Sequence, residues 1–213
     1  MWSPRFIQDE DPLKREFTLL ELNIAIQKQP RKAPGYDGIY SDAFKNLSTE
    51  ARLCILKLYN RIRESGYYPA RWKLAVVVMV LKKDKSPDNP KSYRPISLLA
   101  LAGKIFETMV LARLTPYLEK RNLIPSYQTG FRKKRSTMIN LQRFMNGSYL
   151  TATRATVPNP VIMLLLDCMS AFDTVPHDGV ITKACKDGLH VRVIRFLNSW
   201  LTNRSLMIRV SDA

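Results

Sequence analysis

The stretch from Val161 to Asp167 consists of six apolar residues followed by one carboxylate. A short and wholly apolar run predicts a strand that is buried on both faces. Such a strand would hold the Asp167 carboxylate at a defined point at its end, so acid chemistry at a sheet edge is the first hypothesis. The alternative is that Asp167 caps a following turn or helix, which is a common use of aspartate after a strand.

The residues after Asp167 add a second carboxylate and an aromatic ring. Phe172 and Asp173 lie in the turn that continues to His177. Two acids within six positions of each other are notable in a chain as basic as this one. This context favours a chemical role for the turn over a simple cap, although Phe172 could equally be a core residue.

The charge balance indicates the class of partner. Lys and Arg number 34 against 18 Asp and Glu, which gives a net charge of +16 and a pI near 10.0. Such a surplus predicts a polyanionic partner, nucleic acid before a membrane surface. The longest apolar run, 74–81, is far shorter than the roughly 20 residues of a spanning helix, and residues 1–15 do not read as a secretory signal. We therefore expect an intracellular protein, in the nucleus or cytoplasm and not secreted.

The cysteine and histidine content excludes two classes of small scaffold. Cys54, Cys168 and Cys185 are an odd number of widely spaced cysteines, and the chain has only two histidines. Neither a disulfide framework nor a zinc site is indicated. We expect the three cysteines to be buried small apolar residues.

The periodicity of the sequence predicts mostly helices with a β-hairpin and further strand segments. Thr18 and Glu21 form a capping box that opens a first helix, and Gly66 is the expected end of a second. Helices are predicted near 19–29, 49–64, 101–118, 137–144 and 193–201, with Leu53 facing inward in the second, and strands at 75–81, 93–99, 161–167 and 206–210. The first two strands form a hairpin with basic residues on both arms, Lys82 and Arg94.

A run of four cations from Arg132 to Arg135 is a candidate nucleic-acid contact. Gly130 and Phe131 precede it, and Ser136 is placed to cap the next helix. A solvated charge run is the ordinary explanation of such a segment. The neighbouring glycine and aromatic ring favour a loop that binds a phosphate backbone.

Seven motifs stand out along the chain. They are Lys-Ala-Pro-Gly-Tyr-Asp-Gly-Ile at 32–39, Trp72 before the valine-rich strand, Tyr-Arg-Pro-Ile-Ser-Leu-Leu at 93–99, Lys-Ile-Phe-Glu at 104–107, the segment 128–137, the segment 166–177 and Trp-Leu-Thr-Asn-Arg at 200–204. With these motifs in this order, the chain resembles the N-terminal half of the reverse transcriptase domain of a non-long-terminal-repeat (LINE-type) retrotransposon.

The resemblance implies an α+β fold that is part of a right-hand polymerase. It would be mostly helical, with fingers that include the β-hairpin and with an incomplete palm sheet. The implied organisation is an N-terminal lead at 1–16, fingers and adjoining helices at 17–160, and the start of the palm at 161–213. The implied function is that of a fragment of an RNA-directed DNA polymerase, with RNA template, DNA primer and deoxynucleoside triphosphates as partners and no membrane; the oligomeric state is open.

The family's chemistry uses two divalent ions that activate the primer hydroxyl and neutralise the triphosphate. By resemblance, Asp167 is the first metal-binding aspartate, and the backbone carbonyl of Cys168 is a further ligand to Mg²⁺, with Mn²⁺ as an alternative ion. Phe172 corresponds to the ring that excludes a ribose 2′ hydroxyl. Asp173 fits either structural hydrogen bonding in the turn or catalysis.

The same resemblance implies binding roles for the basic residues. Lys82 and Arg94 correspond to finger residues that grip the nucleotide triphosphate. Arg132, Lys133 and Arg135 correspond to a loop that contacts template or primer phosphates, a contact that is sensitive to salt but blind to sequence.

The 213 residues contain no aromatic-x-Asp-Asp motif, which supplies the remaining metal ligands in the family. We therefore expect this chain alone to be inactive, with metal binding only when the Asp-Asp hairpin is present. The alternative is a non-catalytic basic nucleic-acid-binding module, or relic, that does not need Asp167. A phosphotransfer domain with Asp167 as phosphoacceptor is disfavoured because the helices do not alternate with strands.

Overall fold

The computed structural model describes residues 11–154, 164–168 and 171–209. The chain divides into two compact units, one formed by Met1–Tyr117 with Pro176–Ala213 and the other by Leu118–Val175. The organisation expected from the sequence, with boundaries after residues 16 and 160, stays a prediction. Within the described ranges, none of the helices is long and apolar enough to cross a bilayer.

Helices make up about half of the described chain, and three strands form one small sheet. The helices are α1 (Leu19–Gln27), α2 (Ser41–Lys45), α3 (Thr49–Ser65), α4 (Ala70–Lys73), α5 (Leu101–Lys120), α6 (Thr137–Arg154), α7 (His177–Lys186) and α8 (Val191–Leu201). The strands are β1 (Leu74–Leu81), β2 (Tyr93–Leu98) and β3 (Ser205–Arg209), and a 3₁₀ turn at Pro90–Ser92 precedes β2. The mixed α and β composition expected from the sequence is therefore present.

The sheet has the order β2-β1-β3 and confirms the predicted hairpin. β1 pairs antiparallel with β2, with Val80 opposite Arg94, and parallel with β3, with Val76 opposite Met207. The first half of β1 is buried, while its last three residues and most of β2 are exposed. The hairpin thus has one end fixed in the core and the other open to solvent.

The start of α1 and the end of α3 lie where their sequence signals predict. The Thr18 hydroxyl accepts from the Glu21 backbone N–H, and the Glu21 carboxylate accepts from the Thr18 backbone N–H, which completes the capping box of α1. Gly66 ends α3 with φ of 70° in the left-handed region, which glycine adopts without a steric penalty. One detail was wrong: Leu53 on α3 is exposed, because the buried face of the helix is centred on Tyr59 and Ile62.

A cluster of aromatic rings around Phe106 forms the centre of the first unit. Phe106 is fully buried and packs edge-to-face with Tyr59 at 5.3 Å and with Phe17 at 5.8 Å between ring centroids. The Tyr59 hydroxyl donates to the Ala102 carbonyl at 2.7 Å, so its burial leaves no unsatisfied donor. Burial also raises the pKa of Tyr59 well above its usual range.

Glu107 connects this core to α8, the helix that leads into β3. Its Oε1 accepts from the Tyr68 hydroxyl at 2.6 Å and from Trp200 Nε1 at 2.8 Å. The Ser199 hydroxyl accepts from the Tyr68 backbone N–H at 2.8 Å. Since α8 precedes β3 by only a few residues, these bonds help to hold the third strand beside β1.

Two further predictions from the sequence were wrong in the described part of the chain. Residues 164–168, the described end of the run before the acidic turn, are neither strand nor helix, and Leu164, Leu165 and Leu166 are 77%, 78% and 84% exposed. A strand needs hydrogen-bonding neighbours, and no described strand pairs with this segment; residues 161–163 lie outside the described residues. All three cysteines are exposed instead of buried. Cys54 and Cys185 lie away from the buried residues of their helices, and the described segment that holds Cys168 has no buried face.

Candidate nucleic-acid interface and acidic turn

Lys82 and Arg94 lie at the open end of the β1–β2 hairpin. Arg94 is opposite Val80, and Lys82 follows Val80 by two residues, so the alternation of side chains places both cations on the same face. Diagonal neighbours of this kind are about 7–8 Å apart. The Lys82 ammonium donates to the Lys91 carbonyl at 2.7 Å, which holds it across the turn, while Arg94 is exposed. The pair could bind one multivalent anion.

The loop before α6 is organised by Arg132. Its guanidinium forms an ion pair with both carboxylate oxygens of Glu119, including an Nε to Oε1 bond of 2.8 Å. It also donates to the carbonyls of Pro125 at 2.8 Å and Gln128 at 3.1 Å. The hydrogen bond from Arg132 lowers the pKa of Glu119, so the pair stays ionised at neutral pH. Arg132 thus fastens the loop to the end of α5.

Lys133 and Arg135 are the members of the predicted contact group that face solvent. Both are exposed, as is Lys134, which has a positive φ of 58°. The Arg135 backbone N–H donates to the Arg132 carbonyl at 3.3 Å, which closes a turn over these cations. The loop therefore presents three neighbouring cations from a turn that Arg132 holds in shape.

Phe131 and Phe172 form an exposed aromatic pair in the second unit. Their ring centroids are 5.8 Å apart and their planes are 86° apart, an edge-to-face geometry. Phe131 is 93% exposed with φ of 59°, and Phe172 is 79% exposed. Burial does not explain either ring, and a phenylalanine in the left-handed region is strained. Flat apolar rings beside a cationic loop are suited to contact with sugars and bases.

Asp167 and Cys168 are both exposed, and Asp173 is exposed in the turn at residues 171–174. A carboxylate and a backbone carbonyl are the hard oxygen donors that Mg²⁺ prefers. Across the described residues, however, no group of three or more acidic, histidine or cysteine side chains is close enough to hold an ion. The described donors therefore do not fit a complete metal site, and Asp167 can supply only part of one.

The open end of the hairpin, the cationic loop and the acidic turn all fall within one family match. The family model for reverse transcriptase (RNA-dependent DNA polymerase) matches residues 80–210, well over half of the chain. The chain belongs to the reverse transcriptase family. The resemblance inferred from the seven motifs is thereby confirmed, and a divalent metal cofactor is a general expectation for the family.

The curated relatives that this chain resembles include RNA-directed DNA polymerases of mobile elements. A probable RNA-directed DNA polymerase from transposon BS of Drosophila melanogaster is 31% identical over 210 residues, covering 96% of this chain and 23% of the relative. The RNA-directed DNA polymerase from mobile element jockey of the same organism is 34% identical over 168 residues, covering 78% and 18% respectively. The chain thus spans about a fifth of the length of the relatives it matches.

Sequence reasoning missed two contacts that shape this interface. Glu119 was unremarkable because it lies in the last turn of α5, 13 residues from Arg132, a spacing without a local signature. Phe131 was read as a ring beside the cations, but its contact with Phe172 was not foreseen, because the separation of these two residues in sequence carries no local signature.

Proposed function

We propose that this chain is part of an RNA-directed DNA polymerase of a retrotransposon and contributes nucleotide and nucleic-acid contacts to template-directed DNA synthesis. The observation that carries the proposal is the family match across residues 80–210, which includes every candidate site residue. In the complete enzyme the partners are an RNA template, a DNA primer and deoxynucleoside triphosphates. The finer assignment to fingers and palm of a right-hand polymerase belongs to the same proposal.

Each candidate residue has one role in this proposal. Lys82 and Arg94 bind the triphosphate from the hairpin, and their location on one face of its open end supports this. Phe172 is the ring that excludes a 2′ hydroxyl, and its exposure in the turn after Asp167 is compatible with contact to a sugar. Asp167, with the Cys168 carbonyl, supplies oxygen ligands to Mg²⁺ or Mn²⁺. One carboxylate does not make a complete site, so the remaining ligands of the ion would have to come from other residues.

The cationic loop contacts template or primer phosphates through Lys133 and Arg135. Arg132 is part of the same contact surface, but its internal hydrogen bonds make it the residue that shapes the loop. Each phosphate contact to a single strand contributes about 0.7 to the slope of log affinity against log salt. Replacing Lys133 or Arg135 by Gln is therefore expected to reduce the magnitude of that slope by about 0.7, the share of one phosphate contact. The slope is measured by fluorescence anisotropy with single-stranded RNA. Lys57→Gln on the exposed side of α3 is the control, and an equal loss in this control would contradict the assignment.

The polymerase assignment is tested by replacing the matching segment of the jockey polymerase with residues 80–210 of this chain. RNA-templated primer extension is expected for the chimera and is expected to be lost with Asp167→Asn but not with Asp178→Asn. Binding of an RNA–DNA hybrid by all three proteins reports on folding. Equal extension by the Asp167 and Asp178 variants would refute the role of Asp167.

A non-catalytic nucleic-acid-binding module is the second candidate function, and the surplus of exposed cations around Lys133 favours it for the chain in isolation. We expect the 213 residues alone to give no primer extension with Mg²⁺ on a homopolymer RNA template. Any incorporation that disappears in Asp167→Ala would show that this expectation is wrong. The module hypothesis further predicts that duplex binding is unchanged by Asp167→Asn and needs no Mg²⁺.

A further inference from the structure

A cavity of about 250 Å³ lies in the first unit, beside the end of α1 and the start of α5. Gln29, Ile39, Leu99 and Lys104 are among the residues that line it. The volume is below the roughly 300–1,000 Å³ of sites for drug-sized molecules. The cavity is therefore suited to a small ion or to one chemical group of a larger ligand.

Ser41 lines this cavity and has an unexplained hydroxyl. The residue is only 3% exposed, and its Oγ has no hydrogen-bond partner among the described residues. Buried polar atoms are nearly always paired, so an isolated one indicates a missing partner such as a ligand or an ordered water. This hydroxyl can donate one hydrogen bond to a group in the cavity.

Two lysines give the cavity a cationic character. Lys32 and Lys104 both line it, and burial lowers the pKa of Lys104, with Lys32 adding to this effect. Asp37 and Glu107 act in the opposite direction on Lys104 but do not cancel the effect of burial. An anion in the cavity would therefore meet a poorly solvated ammonium group, for which a negative partner is favourable.

The wall of the cavity is built by close backbone packing. A Cβ atom added to Gly35 would lie 2.5 Å from the Leu99 carbonyl carbon and 2.6 Å from the Ala100 backbone nitrogen. Only glycine permits this approach, so the loop that carries Lys32 is pressed against the segment between β2 and α5. The close approach thus fixes the backbone near Lys32 and before Lys104, on two sides of the cavity.

We propose that this cavity is a binding site for a phosphate group, held by Ser41, Lys104 and Lys32. Donors dominate the polar side chains at the site, which favours an anion rich in acceptor oxygens. Arg94 is the nearer of the two residues that are proposed to bind the triphosphate. It lies five residues from Leu99 along an extended segment, roughly 16 Å away. The site is therefore separate from the hairpin contact and does not depend on the role of Asp167. The bound phosphate group can come from free phosphate or from the phosphodiester backbone of a nucleic acid.

The test uses the whole chain with inorganic phosphate and, separately, with a short single-stranded RNA that lacks terminal phosphates. Phosphate binding is followed by ³¹P NMR titration and by the shift in melting temperature at constant ionic strength, and RNA binding is followed by anisotropy. The variants are Ser41→Ala and Lys104→Gln, with Lys57→Gln on α3 as the exposed control. We expect each cavity variant to weaken binding of at least one probe about tenfold and the control to change it less than twofold.

Ser41→Ala separates a ligand site from a structural role. Because the hydroxyl is buried without a partner, its removal is expected to raise the melting temperature of the ligand-free chain while weakening the phosphate or RNA complex. A lower melting temperature without ligand would mean that the hydroxyl has a structural partner, and this would overturn the proposal. Unchanged affinity for both probes in Lys104→Gln would overturn it as well. A response to phosphate alone identifies the free ion as ligand, and a response to RNA alone identifies the nucleic-acid backbone.

Discussion

Glu107→Ala tests whether the carboxylate between α5 and α8 holds the first unit together. The change removes the acceptor of two donors, the hydroxyl of the fully buried Tyr68 and the indole N–H of the half-buried Trp200. A buried donor left without a partner costs about 1–3 kcal/mol. Water can reach the indole more easily than the tyrosine, so we expect the free energy of unfolding to fall by about 3 kcal/mol. That is a large fraction of the roughly 5–15 kcal/mol typical of folded domains.

Urea denaturation followed by far-ultraviolet circular dichroism measures this loss without relying on Trp200 fluorescence. Glu64→Ala, at the exposed end of α3, is the matched control and is expected to change stability by less than about 0.5 kcal/mol. Glu107→Gln keeps an acceptor oxygen and should give an intermediate value. Combining Glu107→Ala with Trp200→Phe should cost less than the sum of the single changes, because both remove the same bond. Strict additivity, or a loss no larger than that of Glu64→Ala, would refute the reasoning.

Two further predictions concern the same unit. Gly103→Ala should destabilise the chain by about 1 kcal/mol, because the new Cβ would lie 2.6 Å from the Tyr68 hydroxyl oxygen and the cost of overpacking, about 1–3 kcal/mol, exceeds the gain in helix propensity. Gly147→Ala in α6 is the control, since its Cβ would meet open space. In thermal unfolding this control should be neutral or stabilising. Partial burial raises the pKa of Glu21, but hydrogen bonds from Arg113 and Thr18 outweigh it and leave the pKa below 4.5. The stability that Glu21 contributes is therefore complete above pH 4.5 and lost as the pH falls through the lower folded-state pKa, and Glu21→Gln should flatten a plot of melting temperature against pH in that range.

Local signals predicted most of the first unit because each depends on neighbours in sequence. The capping box at Thr18, the left-handed glycine at Gly66 and the spacing of apolar residues along α5 are all confirmed. The hairpin followed from two β-rich segments around a turn, and its antiparallel pairing is confirmed. Local sequence signals were sufficient to predict a helix or strand wherever that segment also packs against another part of the chain.

Interactions between distant residues could not be read from the sequence. Glu119 with Arg132, and Phe131 with Phe172, are contacts between residues whose spacing carries no periodic signature. The cavity at Ser41 depends on the close approach of Gly35 to Leu99, which is a property of tertiary packing. The assignment of Arg132 to a phosphate contact stays a prediction, and the structure adds that its guanidinium also organises the loop.

The segment before the acidic turn shows the limit of a composition-based argument. An apolar run becomes a buried strand only when neighbouring strands accept its hydrogen bonds and another layer covers its faces. Leu164, Leu165 and Leu166 have neither in the described structure. We therefore expect the amides of residues 164–168 to exchange rapidly with solvent deuterium, while those of Val76 and Val77 in the central strand exchange far more slowly. Equal protection of both segments in a mass-spectrometric exchange experiment would mean that a strand forms at Asp167 in solution, and the original prediction from sequence would then be the correct one.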